Sequence, residues 1–369
     1  MNRKHLISTS IIFYLILVMF FACKRKPTIE VDPPPVAIKD TKIRALDLSF
    51  LPQMEEAGMV FKDENGKAMD VLDLVKAAGV NTIRVRIWHQ PKDKHSGLDE
   101  VKSFAKRIKA KNLKLWLCIH YSDTWADPGN QEAPKAWSGL PLAIFKDSMV
   151  NYTKMLMREI KPELVQAGNE INSGFCWEIA RFDNGNNFFE LLNAANLAIK
   201  EVDPNAFRIV HYAGTRDAGY FFNILKQKSV DFDWVGLSYY PIWHGKSPDT
   251  AGLIMDQLYA LLNKPVMIAE TAYPFTFGWN DWTNNVVGDS SQLVAGYPPT
   301  LNGQKDFLNY IADISQASDH KKGFCYWGAE WVAFDGPQSK NGSTWENQAL
   351  FDFQNKVVPG MAAFRSRGL

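Results

Sequence analysis

The chain has 369 residues, and its 41 Lys and Arg stand against 40 Asp and Glu for a net charge of +1. It therefore lacks the basic field by which nucleic acid is gathered. At 46% hydrophobic residues it can bury a large core. Its length exceeds a common domain of about 100–150 residues but suits a single (β/α)8 barrel, which runs to about 250 residues or more.

The N-terminus reads Asn2-Arg3-Lys4-His5, then runs without charge from Leu6 to Ala22 and meets Cys23. A basic stretch followed by an apolar run reads as a secretory signal, outside the fold. Residues 1–22 are expected to be a signal peptide of lipoprotein type, with Cys23 as the lipidated residue, although Phe20 stands where such signals carry Leu. An uncleaved signal anchor is the alternative, since the run is near the lower limit for a membrane span. Lys24-Arg25-Lys26 and Pro33-Pro34-Pro35 make residues 23–41 a stiff lipid-anchored linker, and the folded domain is expected over 42–369. This reading puts the protein in a bacterial cell envelope, anchored on the periplasmic or cell-surface side, and as a monomer.

From Lys42 onward, strand-like runs alternate with helical patterns, the βα signature of a parallel sheet. The runs are Ile43–Phe50, Val80–Trp88, Leu113–His120, Leu164–Glu170, Phe207–Tyr212, Trp234–Tyr240, Val266–Glu270 and Gly323–Trp327. The helices between them are expected over Asp70–Ala78, Leu98–Ala110, Leu142–Glu159, Asn187–Val202, Gly219–Lys226, Gly252–Leu262 and Gln304–Ser315, with Gly360–Arg365 closing. Eight such units without a spare edge strand predict an α/β fold, a closed (β/α)8 TIM barrel in one catalytic domain.

Alternation then orients the side chains. In the second strand Ile83, Val85 and Ile87 form the face under the helices, so Arg84 and Arg86 point into the barrel and need carboxylate partners. Arg84 reads as a structural ion pair near the floor. Arg86, one layer nearer the rim, reads as the group that keeps a catalytic carboxylate ionised. Trp116, Cys118 and His120 face inward from the third strand. Cys118, Cys176 and Cys325 match no metal spacing and no disulfide framework, and read as packing residues.

The fourth and seventh runs both end on a glutamate, in Gly168-Asn169-Glu170 and Ile268-Ala269-Glu270. Barrels place their chemistry at the C-terminal ends of strands, and two carboxyls flanking an acetal are the equipment of glycoside hydrolysis. The loops at that rim are aromatic and polar: Tyr121 to Pro128, Pro241 to Gly245, and Tyr273-Pro274-Phe275. Aromatic faces stack on sugar C–H faces, and twelve Trp with twelve Tyr supply them.

These segments resemble glycoside hydrolase family 53, the endo-β-1,4-galactanases that cut galactan side chains of pectin (arabinogalactan type I). The resemblance is carried by Asp47-Leu48-Ser49, Arg84-Val85-Arg86-Ile87-Trp88, His120 to Pro128, Gly168 to Asn172, Gly236 to Pro241, Trp243-His244-Gly245, Glu270 to Pro274 and Trp345 to Asp352. It spans about Arg44 to Phe353. It implies a retaining enzyme with Glu170 as acid/base and Glu270 as nucleophile, and Asn169 bonding the 2-hydroxyl of the sugar being cleaved. It also implies substrate contacts from Asp47, Arg86, Trp88, His120, Asp123, Trp125, His211, Tyr240, Trp243 and Trp327.

Two departures stand out. Where the family reads Tyr-Trp-Glu-Pro-Ala-Trp after the eighth strand, this chain has Tyr326-Trp327-Gly328-Ala329-Glu330-Trp331, with Glu330 as a partial replacement for the absent Glu. The segment Phe275 to Trp282 lacks the dense Asp/Asn spacing that binds calcium in some bacterial relatives, so neither a structural calcium nor any cofactor is expected. The rival readings are a mannanase or cellulase of the same clan, a non-catalytic glycan-binding lipoprotein, and a metal hydrolase built on His120, His211 and Asp123.

Overall fold

The computed structural model describes residues 42–366. The signal peptide, Cys23 and the linker lie outside the described residues. Eight parallel strands close on themselves in sequence order: β1 (Ile43–Asp47), β2 (Thr82–Ile87), β3 (Lys114–Ile119), β4 (Leu164–Ala167), β5 (Phe207–Ala213), β6 (Trp234–Ser238), β7 (Val266–Thr271) and β8 (Lys321–Tyr326). The closing pair is β1 with β8, where Ala45 stands opposite Cys325.

The expected helices are present: α1 (Val71–Ala77), α2 (Leu98–Ala110), α3 (Leu142–Ile160), α4 (Asn187–Val202), α5 (Ala218–Gln227), α6 (Pro248–Leu262) and α7 (Leu301–Gln316). Their apolar stripes follow the helical period. In α2, Val101, Phe104, Ala105 and Ile108 are buried, at spacings that share one face. Thr300 caps α7 by accepting a hydrogen bond from the Gly303 amide at 3.0 Å, which satisfies a donor the helix leaves open. The closing helix is instead a 3-10 turn over Pro359–Phe364. Two further helices, Leu51–Glu56 and Pro241–His244, and a hairpin joining Gly174–Phe175 to Ala180–Arg181, arise in loops that carried no clear period.

The two faces of the strands separate as alternation requires. Ile83, Val85, Ile87, Leu115, Leu117 and Ile119 belong to the layer between strands and helices. Ile43, Ala45, Trp116, Leu164, Ile209, Trp234, Met267 and Cys325 form a second apolar cluster inside the barrel. Above this plug the inward residues turn polar: Asp47, Arg84, Gln166, His211, Ser238 and Glu270 are all buried. The apolar floor excludes water from below and leaves the polar layer open only toward the rim.

Several strands end earlier than their apolar runs. The ladder stops at Asp47, Ala167 and Ser238 rather than at Phe50, Glu170 and Tyr240, because the residues beyond turn away to build the site. β7 also departs from simple alternation. Leu237 pairs with Ile268, but Ser238 pairs with Glu270, so the register shifts by one residue. Met267 and Ala269 already face inward, and strict alternation would send Glu270 outward. The extra residue re-aims it into the barrel, which is what bulges beside active sites do.

The β1–β8 closure is tight. Gly323 has φ +102°, and a Cβ there would fall 1.9 Å from the Ile43 carbonyl oxygen. Gly323→Ala is expected to destabilise the fold by about 2–4 kcal/mol, combining left-handed strain with overpacking. Gly219→Ala, in open space within α5, should leave the thermal midpoint unchanged or slightly higher. Equal midpoints for the two variants in a thermal melt would refute this account of the closure.

Candidate active site

Arg84 organises the polar layer. Its Nη1 donates to Asp47 Oδ2 at 2.7 Å and its Nη2 pairs with Glu270 Oε1 at 2.7 Å. The register that sets Asp47 opposite Arg84 makes the first of these contacts. Nη2 also donates to Asn169 Oδ1 at 2.9 Å, and Nε and Nη2 reach Gln166 Oε1 at 3.3 and 3.2 Å. Below it lies the Trp116 ring, 5.4 Å from the guanidinium carbon. A cation taken out of water is tolerated only with such paired partners.

Glu270 has a second donor, the Tyr240 hydroxyl, 3.0 Å from Oε2. Glu170 stands just beyond β4, where Gly168 at φ +83° and Glu170 at φ +47° bend the chain across the barrel mouth. The Gln131 amide holds this bend through the Asn169 carbonyl at 2.8 Å. Ser238 donates to Glu170 Oε1 at 2.5 Å. An oxygen of Glu170 and an oxygen of Glu270 lie within 4.8 Å of each other.

The two carboxyls differ in surroundings. Burial, and then the Glu270 charge, push Glu170 up to about 8. Burial raises Glu270 as well, while Arg84 opposes it. Two acids this close titrate as a pair. The proton belongs on Glu170, because Glu270 is the one bonded to a guanidinium.

A cleft of roughly 520 Å³ opens over this pair. Asp47, Arg86, His120, Trp125, Asn169, Tyr240, Trp243 and Trp327 all line it, as do both glutamates. Three expected sugar contacts lie elsewhere. Asp123 clamps two loops by accepting from the backbone amides of Gln90 and Lys135, each at 2.9 Å. Trp88 packs behind Trp125, with ring centroids 5.3 Å apart, and donates to His120 Nδ1 at 3.3 Å. His211 is fully buried below the cleft, bonded to Gln166 and Ser238.

Arg86 also takes a different part from the one its position implied. Arg84, the deeper residue, meets Glu270. Arg86 instead lies among Phe50, Trp125 and Trp88 rings, at 4.1, 4.4 and 5.1 Å, where cation–π attraction offsets part of its desolvation. Burial lowers it to about 10. The reason for the exchange is the bulge in β7, which delivers Glu270 to the layer of Arg84. Glu330 does not replace the absent Glu at 328. It is fully buried, and its Oε1 accepts from the Phe50 amide at 2.8 Å.

Trp331 and Trp345 also line the cleft and were not singled out by sequence reasoning. Their signal was present in the Trp-rich stretch after β8. Gln166 and Ser238 carried none, being ordinary polar residues at the inward phase of their strands.

Glu170, His211 and Glu270 are the one cluster of three metal-capable side chains among the described residues. Their lone pairs are committed elsewhere: Glu270 to Arg84 and Tyr240, and both His211 nitrogens to Gln166 and Ser238. A cation there would have to displace a guanidinium from its carboxylate. Asp281, in the loop after β7, and Glu346, in the segment after β8, bring two carboxyls near each other, and burial raises Glu346 to about 7. No third His, Cys, Asp or Glu joins them among the described residues, which does not fit the cage of about six to eight oxygens that calcium takes.

Residues 43–364 match the family described as glycosyl hydrolase family 53. The chain belongs to that family. It is 30% identical to an endo-β-1,4-galactanase of Bacillus subtilis (strain 168), with 88% of this chain and 85% of the relative covered. It is 31% identical to an arabinogalactan endo-β-1,4-galactanase of Cellvibrio japonicus, covering 87% and 89%. Among solved structures, the family 53 catalytic domain of Ignisphaera aggregans superposes with a TM-score of 0.84 at 34% identity, covering 90% of this chain and 98% of that one. This family 53 chain is therefore a glycoside hydrolase on a single (β/α)8 barrel.

The contacts of the two arginines predict different pH behaviour. Arg84→Gln removes the cation that opposes protonation of Glu270, so the acid limb of the kcat/KM profile should move to higher pH and kcat should fall. Arg86→Gln should weaken saccharide binding and leave that limb in place. If Arg86→Gln were the variant that moved the acid limb, the assignment of partners would be reversed.

Proposed function

We propose that this family 53 enzyme is a retaining endo-β-1,4-galactanase, acting by double displacement with Glu270 as nucleophile and Glu170 as acid/base. The observation that carries the mechanism is the carboxyl pair, with oxygens within 4.8 Å and only Glu270 held by a guanidinium. Retaining glycosidases keep their carboxyls about 5–5.5 Å apart, whereas inverting ones leave about 6.5–9.5 Å for a water. The substrate assignment rests on the galactanases of Bacillus subtilis and Cellvibrio japonicus among the relatives.

In the first step Glu270 attacks the anomeric carbon. The glycosidic C–O bond breaks, and the departing oxygen takes the proton of Glu170. In the second, Glu170 removes a proton from water as that water attacks the glycosyl ester, releasing Glu270. Asn169 borders the cleft beside Glu170, where the 2-hydroxyl of the sugar would stand. Trp327 and the half-exposed Trp243 offer faces for the chain on either side.

Purified enzyme should release reducing ends from potato galactan and not from mannan or cellulose, and proton NMR should see the β-anomer first. Glu270→Ala should abolish turnover of every substrate. Glu170→Ala should still be glycosylated by an aryl galactobioside with a good leaving group, which needs no proton to depart. Full galactan activity in both variants, or an α-anomer as first product, would sink the reading.

We also propose that the enzyme is tethered to a bacterial envelope membrane through lipid on Cys23, on the strength of the basic, apolar and Cys pattern of its first 23 residues. Cys23→Ser should move galactanase activity to the soluble fraction. Continued membrane association would indicate an uncleaved anchor.

A further inference from the structure

The carboxyl of Glu170 is held at one oxygen only: among the described residues, Ser238 is the one side chain bonded to it. That hydroxyl can donate or accept, and which it does decides where the acidic proton sits. The answer follows from a chain of polar groups that begins at Arg84. A guanidinium has donors and no acceptor. The Gln166 oxygen must therefore face it, as the contacts at 3.3 and 3.2 Å show.

With its oxygen fixed, Gln166 presents its NH2 to the Gly168 carbonyl at 3.1 Å and to His211 Nδ1 at 2.8 Å. Two donors cannot meet at 2.8 Å, so His211 Nδ1 is bare and accepts. The Asn169 oxygen, at a longer 3.2 Å from the same nitrogen, is served instead by Arg84 at 2.9 Å. A histidine this buried, near Arg84, is neutral, so its one N–H is at Nε2. It donates to Ser238 Oγ at 2.9 Å. Ser238, having accepted there, turns its own proton to Glu170 Oε1.

We propose that Ser238, oriented by His211, is a positioning residue that keeps Glu170 Oε1 an acceptor in both protonation states and so confines the catalytic proton to Oε2. This rests on the assignment of Glu170 as acid/base. In the first step the proton leaves from Oε2, the oxygen not held by Ser238, and the new carboxylate already has a donor at Oε1. In the second step Oε2 takes the proton of water. The Ser238 proton stays on Ser238 throughout, so no proton is lost or gained along the chain. The same Arg84 that pairs with Glu270 thus also fixes, through the neutral side chains of Gln166, His211 and Ser238, the hydrogen bond received by Glu170.

Ser238→Ala removes a donor to the charged form of Glu170. A hydrogen bond to an ionised group is worth enough to raise the pKa by about one unit when lost. In the free enzyme, 13C-carboxyl NMR of labelled Glu, with the Glu170 signal assigned through Glu170→Gln, should show that upward shift. The basic limb of kcat/KM on galactan should move up with it. Ser238→Ala should slow galactan turnover about tenfold or more while largely sparing glycosylation by an aryl galactobioside, and Ser238→Thr should restore both pKa and rate. An unchanged Glu170 titration in folded Ser238→Ala, or equal losses on both substrates, would overturn the proposal. Because the NMR titration needs no substrate, it decides this point even if galactan proves not to be cleaved.

Discussion

Everything at the barrel mouth depends on keeping a guanidinium charged in a space that excludes water. Arg84 rests on the Trp116 ring above an apolar plug and is almost wholly buried. An unpaired charge there would cost several kcal/mol even after relaxation. Its partners are therefore obligatory, and they come from four strands or their ends: Asp47, Cys118, Gln166, Asn169 and Glu270. The charge arithmetic closes in an informative way. Arg84 and Arg86 balance the carboxylates of Asp47 and Glu270 only if Glu170 and Glu330 keep their protons. Burial pushes both of those acids up. One of the two protons faces the cleft, and the other is locked behind Phe50.

The barrel was legible in the sequence because it repeats one simple constraint eight times. Outward faces must be apolar to lie under helices, so Ile83, Val85 and Ile87 oriented Arg84 and Arg86 correctly. The glutamates were legible because both end apolar runs. The partnership between Arg84 and Glu270 was not. Alternation places the deeper arginine with the floor, and it is a one-residue bulge at Ala269 of β7, opposite Leu237 and Ser238, that brings Glu270 down to it. A bulge depends on neighbouring strands and leaves no periodic trace in the sequence of β7. For the same reason Ser238 and Gln166 were invisible. Their importance comes from which atoms face them across the barrel, and their residue type alone says nothing of that.

Aromatic residues around the cleft divide by what lies behind them. Phe50 stacks on Trp331 at 4.0 Å and lies over Arg86, while Trp88 and His120 back Trp125. Asp123 and Trp88, expected to touch sugar, instead hold the loop and ring that do line the cleft. A residue can be indispensable to a binding face without forming it, and sequence reading cannot separate the two roles when both need the same aromatic loop.

The departure after β8 shows how such a wall is rebuilt locally. Gly328 has φ +68°, and a Cβ there would come within 2.9 Å of Trp345 Cδ1. Without a side chain at 328, the Trp345 ring stands edge-on to Trp327, with centroids 4.8 Å apart, and roughly parallel to Trp243 at 6.3 Å. Two residues on, Glu330 turns its carboxyl into the protein to hold the Phe50 amide. Position 328 thus contributes room for an indole in the cleft wall, and position 330 contributes a fixed backbone. The rim beside Trp327 is consequently walled by the indoles of Trp345 and Trp243. That side of the cleft thus presents ring faces, while its charged contacts gather around Arg84, Asp47 and Glu270.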